Sequence, residues 1–301
     1  DINLLASAKN NEKTSDNNLT ITVPAAGFVA GTSVIVTVAH DGTGNGITSI
    51  TDTASNTYAQ DEAALAIDDG GVSINVWSSH NITALSSGDT ITITFQDSMT
   101  AKAAVAANFT PLISSPKDKT SVGTGTGTAA DSGNTATTTQ AKELLIGAIG
   151  VEGPISETFT EGTNYTLVGR DGTTGGGAAS NITCNMEYRV VTATGAYNAN
   201  ATLGDSRDWK AIIVTYKANT TDAAKITNNG TDTAINLTTT SSLYTNIVDS
   251  ATYPSNAAGI GIVSTGSINN SYLYECGMLI SYTPPAAAST YTGYYGKAGY
   301  F

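Results

Sequence analysis

Ser33-Val34-Ile35-Val36-Thr37-Val38-Ala39 is dominated by β-branched residues and holds no long polar helix former, so it reads as a strand. Further along the chain, Glu143-Leu144-Leu145-Ile146-Gly147-Ala148-Ile149 reads the same way, and the surroundings of the two runs match in order. Ile50-Thr51-Asp52-Thr53-Ala54-Ser55-Asn56-Thr57-Tyr58 is answered by Phe159-Thr160-Glu161-Gly162-Thr163-Asn164-Tyr165. Val76-Trp77 is answered by Met186-Glu187-Tyr188-Arg189-Val190, residues 90–95 by 196–203, and 102–109 by 209–217. An order-preserving series of strands marks an internal repeat, and the repeated unit is β throughout.

Working outward, the strands alternate with Asp41-Gly42-Thr43-Gly44-Asn45-Gly46, Asp171-Gly172-Thr173-Thr174-Gly175-Gly176-Gly177 and similar clusters. Gly and Asn tolerate positive φ, so these are turns. The expected class is all-β: a jelly-roll-like β-sandwich over residues 18–218, built of two related halves, 18–111 and 134–218. Each half could close its own small sandwich, or the halves could interleave as two sheets of one jelly roll. The second arrangement is expected. The Thr/Gly-alternating linker 121–133 reads as an added edge strand, and 61–67 is the one plausible helical patch. After Lys217 the composition shifts, and 219–285 reads as a smaller β domain with its clearest strands at 243–248, 259–263 and 271–282. Residues 286–301 form a Tyr-rich tail. The polar segment 1–17 is expected as a strand donated to a neighbour's sheet.

Composition narrows the function. Thirteen Lys plus Arg stand against twenty-five Asp plus Glu, a net charge of -12, and charged residues make up only 13% of the 301. No phosphate-neutralising surface can be built from so few cations, which excludes nucleic acid as a partner. No apolar run is long enough for a membrane-spanning helix, so no membrane insertion is expected, and the sequence as given opens with no basic-then-apolar export segment. A Thr, Ser, Gly and Asn surface suits proteins outside the cell or in virus particles. Asp52-Thr53-Ala54-Ser55-Asn56-Thr57-Tyr58, then Val76-Trp77, then Glu143-Leu144-Leu145-Ile146-Gly147-Ala148, resembles a class of β-sandwich domains of secreted and cell-surface bacterial proteins. The resemblance covers residues 18–218 and implies no catalytic residues.

The search for chemistry returns little. His40 and His80 are the only histidines, no Gly-X-Ser-X-Gly elbow is present, and both rings are expected at the surface. A glycosidase pair could come from Asp61, Glu62, Asp68 and Asp69 with Glu152, Glu157 and Glu161, but Trp77 and Trp209 fit a core better than a sugar cleft. The expectation is not an enzyme, with no cofactor. Calcium is the one competing ligand, because Asp41-Gly42-Thr43-Gly44-Asn45-Gly46 and Asp68-Asp69-Gly70 resemble pieces of calcium loops; a hairpin turn is the preferred reading. Cys184 and Cys276 are either a disulfide or two buried free thiols. Glycosylation sequons occur at Asn18, Asn81, Asn108, Asn164, Asn181, Asn200, Asn219, Asn229, Asn236 and Asn269.

That leaves the surface. Tyr291, Tyr294, Tyr295, Tyr300 and Phe301 crowd the last residues and are expected as intersubunit contacts, since tyrosine gives large contact area at low entropic cost. The expected function is a self-assembling structural subunit of an extracellular filament or cell-surface assembly, partnered by copies of itself. The alternatives are a virion structural protein (capsid, decoration or tail fibre) and a carbohydrate-binding or adhesive module in which Trp77 and the tyrosines stack on glycans.

Overall fold

The computed structural model describes residues 2–42, 46–66 and 71–219, together with the backbone of 260–261, 272–273, 278–282, 291–295 and 299–300. The chain is all-β and divides into two compact units, Asp1–Asn219 and Thr220–Phe301. The first unit contains β1 (Asn3–Glu12), β2 (Asp16–Thr22), β3 (Ser33–Asp41), β4 (Ile47–Asp52), β5 (Ala59–Ala64), β6 (Val72–His80), β7 (Thr90–Met99) and β8 (Lys102–Thr110). It continues with β9 (Leu112–Asp131), β10 (Lys142–Val151), β11 (Phe159–Thr160), β12 (Thr166–Gly172), β13 (Thr183–Thr192) and β14 (Asn200–Ala218).

The repeat read from the sequence reappears as topology. One sheet runs β1-β8-β3-β6-β5, and its counterpart runs β9-β14-β10-β13-β12, every pairing antiparallel. In both, the first Val/Ile-rich strand is central, flanked by the strand two hairpins later and by the last strand of its half. A three-stranded sheet, β2-β7-β4, belongs to the first half. The second half makes the same three-stranded layer from the end of β9, the start of β14 and β11, through pairs such as Thr202 with Ala129 and Phe159 with Leu203. Because β14 runs for 19 residues, its two layers remain one sheet. The register shift between Thr202 and Arg207 marks the corner.

Each half packs its large sheet on its own small one, and no sheet mixes central strands from the two halves. The two five-stranded sheets also meet, burying Ile35, Ile74, Val76 and Val105 with Leu144, Ile146, Met186, Ile212 and Val214 in one cluster. On the other face of β3, Val34, Val36 and Val38 pack with Leu19, Ile21, Ile91, Ile93 and Phe95. Strands β3, β6, β8 and β10 are thus covered on both faces, which is why they read as continuous apolar runs. At Gly150 an added Cβ would stand 3.0 Å from Val72 Cγ2, and at Gly169 one would stand 2.9 Å from Val105 Cγ1, so the sheets approach closely where side chains are missing.

Three expectations change. Residues 61–66 are not helical: Asp61 to Ala64 lie in β5, whose Glu62 alternates with buried Ala64 against β6. The segment expected as a donated strand is β1, and it pairs with β8 of its own chain from Asn3 opposite Thr110 to Glu12 opposite Lys102. The tail expected at 286–301 contributes strands to its own unit. There β17 (Met278–Tyr282) pairs antiparallel with β18 (Tyr291–Tyr295) and parallel with β15 (Ile260–Gly261), while β16 (Tyr272–Leu273) pairs with β19 (Gly299–Tyr300). Strand 243–248 lies outside the described residues.

Candidate functional site

Of the two histidines expected at the surface, His40 is buried and His80 is half-buried. His40 is fully enclosed, its Nδ1 at 2.8 Å from the Asp41 carbonyl and its Nε2 at 3.3 Å from the Asn75 amide, with its ring edge-on to Phe95. His80 is held by Ser33 Oγ at 2.8 Å and Ser78 Oγ at 2.9 Å. Burial lowers both pKa values. A serine, not a carboxylate, faces the second ring nitrogen of His80, so the geometry of a nucleophile–base–orienter triad is missing.

Three of the expected carboxylates are engaged elsewhere. Asp61 accepts the Tyr216 hydroxyl at 2.6 Å, Glu62 accepts the Thr120 hydroxyl at 2.6 Å, and Glu157 is paired with both Arg207 nitrogens. Asp41 accepts the Thr100 N–H at 3.0 Å, which ties it to the connection between β7 and β8. Thr43, Gly44, Asn45, Asp68, Asp69 and Gly70 lie outside the described residues; among the described ones no group of His, Cys, Asp and Glu could hold a metal. Trp77 and Trp209 are buried, the first in the apolar cluster of the first half and the second against Gly125 of β9.

Cys184 is a free thiol at the centre of the shared cluster, beside the Thr37 hydroxyl at 3.4 Å, and burial pushes its pKa up to about 12. Cys276, Phe301, Asn229, Asn236 and Asn269 lie outside the described residues, and Tyr291, Tyr294, Tyr295 and Tyr300 are described as strand backbone alone. Asn18, Asn81, Asn164 and Asn219 are exposed and Asn200 is half-buried. Asn108 and Asn181 are buried, and their amide nitrogens donate inward: Asn108 to the Ser33 carbonyl at 3.1 Å, Asn181 to the Gly177 carbonyl at 2.8 Å. A glycan on either nitrogen would displace those bonds and the packing around them.

Two features stand out, and both involve β9: the edge strand expected at 121–133, and a charged cluster that the sequence reading passed over. The first is its edge. Over its 20 residues β9 pairs with β14 and with no other described strand. From Thr120 to Ala130 it carries no charge. Glycines fill the face turned inward: a Cβ at Gly125 would stand 2.6 Å from the Trp209 ring, and one at Gly123 would collide with the Asp131 carbonyl. Threonines and Val122, 43% exposed, fill the other face.

The second is the charged cluster where β9, β14 and β10 meet. Glu143 stands opposite Lys217 in the β10–β14 ladder. Beside them β9 slips register between the pairs Val214–Thr120 and Tyr216–Lys117, and this bulge turns Asp118 inward to 3% exposure. Asp118 Oδ2 accepts the Thr139 N–H at 2.5 Å, and Oδ1 accepts the Thr139 hydroxyl at 2.8 Å. Lys119 Nζ and Lys217 Nζ lie 3.3 and 3.4 Å from the same Oδ1. Burial works to raise the Asp118 pKa, but the Thr139 donors and Lys119 outweigh it and hold the carboxyl well below its ordinary range.

Glu143 is fully buried against Asp118 and the Thr215 hydroxyl, accepts the Gln140 N–H at 3.3 Å through Oε1, and leaves Oε2 without a well-formed hydrogen bond. Burial and the neighbouring Asp118 charge push its pKa up to about 7. The cluster therefore gathers two lysines and two carboxyls, one acid held ionised and the other pushed toward its neutral form. No family model, curated protein or solved structure matches this chain.

Proposed function

We propose that this chain is a self-assembling structural subunit of an extracellular filament or cell-surface assembly, partnered by copies of itself. The reading takes residues 18–218 as a jelly-roll-like β-sandwich of two related halves and 219–285 as a second, smaller β domain. The observation that carries it is the outer edge of β9. Soluble proteins guard long edge strands with lysines, prolines or covering loops, because unpaired N–H and C=O groups template another strand. Between Thr120 and Ala130 this edge carries none of those charges, and Val122 is exposed on it. The uncharged stretch from Thr120 to Gly127, ahead of the corner, is suited to pairing with a strand from another copy. Buried Trp77 offers no platform for a sugar, which weighs against a carbohydrate-binding module.

The test is assembly of the full chain, followed by negative-stain microscopy and sedimentation. Wild type should form filaments or sheets. Val122→Lys with Thr128→Lys, which charges two exposed positions of the edge, should leave folded monomers. Closed particles would move the reading to a virion protein, and a wild type that stays monomeric at high concentration would end it.

A further inference from the structure

We infer, on the assembly reading above, that the outer edge of β9 pairs with the outer edge of β4 in the next copy of this chain. Assembly through β9 needs a surface to receive it. Among the described strands of the first unit, β4 is the other long edge left without charge or internal cover.

The edges of that unit are β1, β5, β2, β4, β12 and β9, besides the two-residue β11. Four of the long ones are guarded from within the chain. The Arg170 carbonyl of β12 accepts from Lys9 Nζ at 2.7 Å, and Asp171 accepts from the Asn11 amide at 2.8 Å. Both arms come from β1, which carries charge of its own in Lys9 and Glu12. A third β1 arm, Asn10, donates to the Thr20 carbonyl of β2 at 2.8 Å. On β5 the Asp61 carbonyl accepts from Lys117 Nζ at 2.9 Å, and Glu62 Oε1 takes the Ala63 N–H at 3.0 Å. Such bonds and charges occupy the groups that another strand would need.

β4 is different. It pairs with β7 and with no other described strand, and Ile47 to Thr51 carry no charge. Thr48 Oγ1 donates to the Thr94 carbonyl of β7 at 3.0 Å, away from the free edge. Asp52, where β4 ends, is consumed by its own turn: it accepts the Ala54 and Asn56 N–H groups at 3.0 Å and the Tyr58 hydroxyl at 2.9 Å. The faces of the two edges also match. On β4 Ile47 and Ile50 are buried while Thr48 and Thr51 are exposed; on β9 glycines turn inward while Val122, Thr124 and Thr126 are exposed. Side by side, the strands set β-branched residues against one another on the solvent face, a favourable cross-strand pairing.

Charge and symmetry select this partner. Two copies of a chain with net charge -12 repel, so a contact between them is least opposed where neither edge bears a charge. β9 against β9 would close a dimer and leave β4 bare in every copy. β9 against β4 joins two different surfaces, so each added copy presents a fresh β9 at one end and a fresh β4 at the other. A contact of that kind grows into an open filament.

Charging β4 in the full chain, by Thr48→Lys with Thr51→Lys, should abolish filaments and leave a monomer that is folded by circular dichroism. The added lysines lower the net negative charge, so general repulsion does not account for such a loss. The β9 variant, Val122→Lys with Thr128→Lys, should behave alike when alone. An equimolar mixture of the two should sediment as pairs and nothing larger, because one chain brings an intact β9 and the other an intact β4. Thr51→Lys alone should give the same pairs if the β4 double variant proves unfolded. Thr20→Lys with Thr22→Lys, on guarded β2, should assemble as wild type does. Normal assembly of the β4 variant overturns the pairing, as does its dimerisation alone, a mixture of folded variants that stays monomeric, or failure of the β2 variant. In each of those cases a wild type that forms filaments keeps the assembly reading, whereas a monomeric wild type ends both.

Discussion

Trp77 and Glu187 hold the same station in the two halves of the repeat: Trp77 of β6 lies opposite Val36 of β3, and Glu187 of β13 lies opposite Gly147 of β10. A Cβ at Gly147 would stand 2.7 Å from both Cγ and Oε1 of Glu187, so the missing side chain makes room for the carboxyl. Where one half buries an indole, the other buries an acid. Glu187 Oε2 accepts the Gly162 N–H at 2.9 Å, Oε1 has no partner, and burial with the nearby Glu161 charge pushes the pKa up to about 8.

Stability should therefore fall on the alkaline side of neutrality. A carboxyl whose folded pKa is raised binds more protons folded than unfolded, so it costs about 1.4 kcal/mol per pH unit between its unfolded and folded pKa values. Glu187 acts up to about pH 8 and Glu143 up to about pH 7. Buried His40 and half-buried His80 work in the opposite sense, but only below their ordinary value of 6.5. Between pH 6.5 and 8 the acids act alone, and the loss should be on the order of 2 kcal/mol. Melting temperatures across that window should decline in wild type and flatten in Glu187→Gln. A flat wild-type profile would show that Glu187 ionises freely in the fold.

The glycines of β9 should resist substitution for a reason separate from turn chemistry. Gly125 lies under the Trp209 indole, which is rigid and cannot swing aside as a flexible chain would. Gly125→Val should cost about 1–3 kcal/mol, as overpacking does, and red-shift the tryptophan emission as Trp209 is displaced. Thr124→Val, on the opposite face, should leave both unchanged. Equal effects at the two positions would mean that the indole does not rest on β9.

How much of this was legible beforehand depends on which physical signal each feature leaves. The repeat left a strong one, because β3 and β10 are both apolar runs and the segments that follow them correspond in order. Which face of those strands meets which neighbour left none, since Val34 and Ile35 are both fully buried and two-sided burial erases the alternation. The destination of β1 was equally hidden: a strand suited to a neighbour's sheet is as well suited to β8 of its own. The cluster around Asp118 joins residues distant in sequence through a bulge, and bulges follow from pairing register. Glu187 did leave a trace, as a lone acid in the apolar run of β13 facing a glycine in β10. It could have been noticed once the two strands were aligned.

Lys102 should tolerate no neutral replacement. Its ammonium satisfies two carbonyls besides Asp16, and β8 is buried along nearly its whole length. Lys102→Met fills the space but strands the Thr14 and Met99 carbonyls, each costing about 1–3 kcal/mol if water cannot reach it. Urea denaturation should show a loss of that order, and high salt should leave the wild-type value nearly unchanged, because buried contacts are weakly screened. A loss that salt reproduces in wild type would instead point to a solvent-exposed ion pair with Asp16.

Cys184 provides a probe of whether the two five-stranded sheets stay together in solution. The thiol sits at zero exposure in the cluster they share, and only the thiolate reacts with disulfide reagents. In a Cys276→Ser chain, Cys184 should be silent toward such a reagent under native conditions and titrate fully in denaturant. Its native rate should then report the free energy of separating the sheets. Ala107 is fully buried in the same cluster, so Ala107→Leu should wedge that interface and speed the reaction far more than it changes the far-ultraviolet spectrum. Rapid labelling of the native Cys276→Ser chain would mean that the sheets part readily, leaving each half to rely on its own small core.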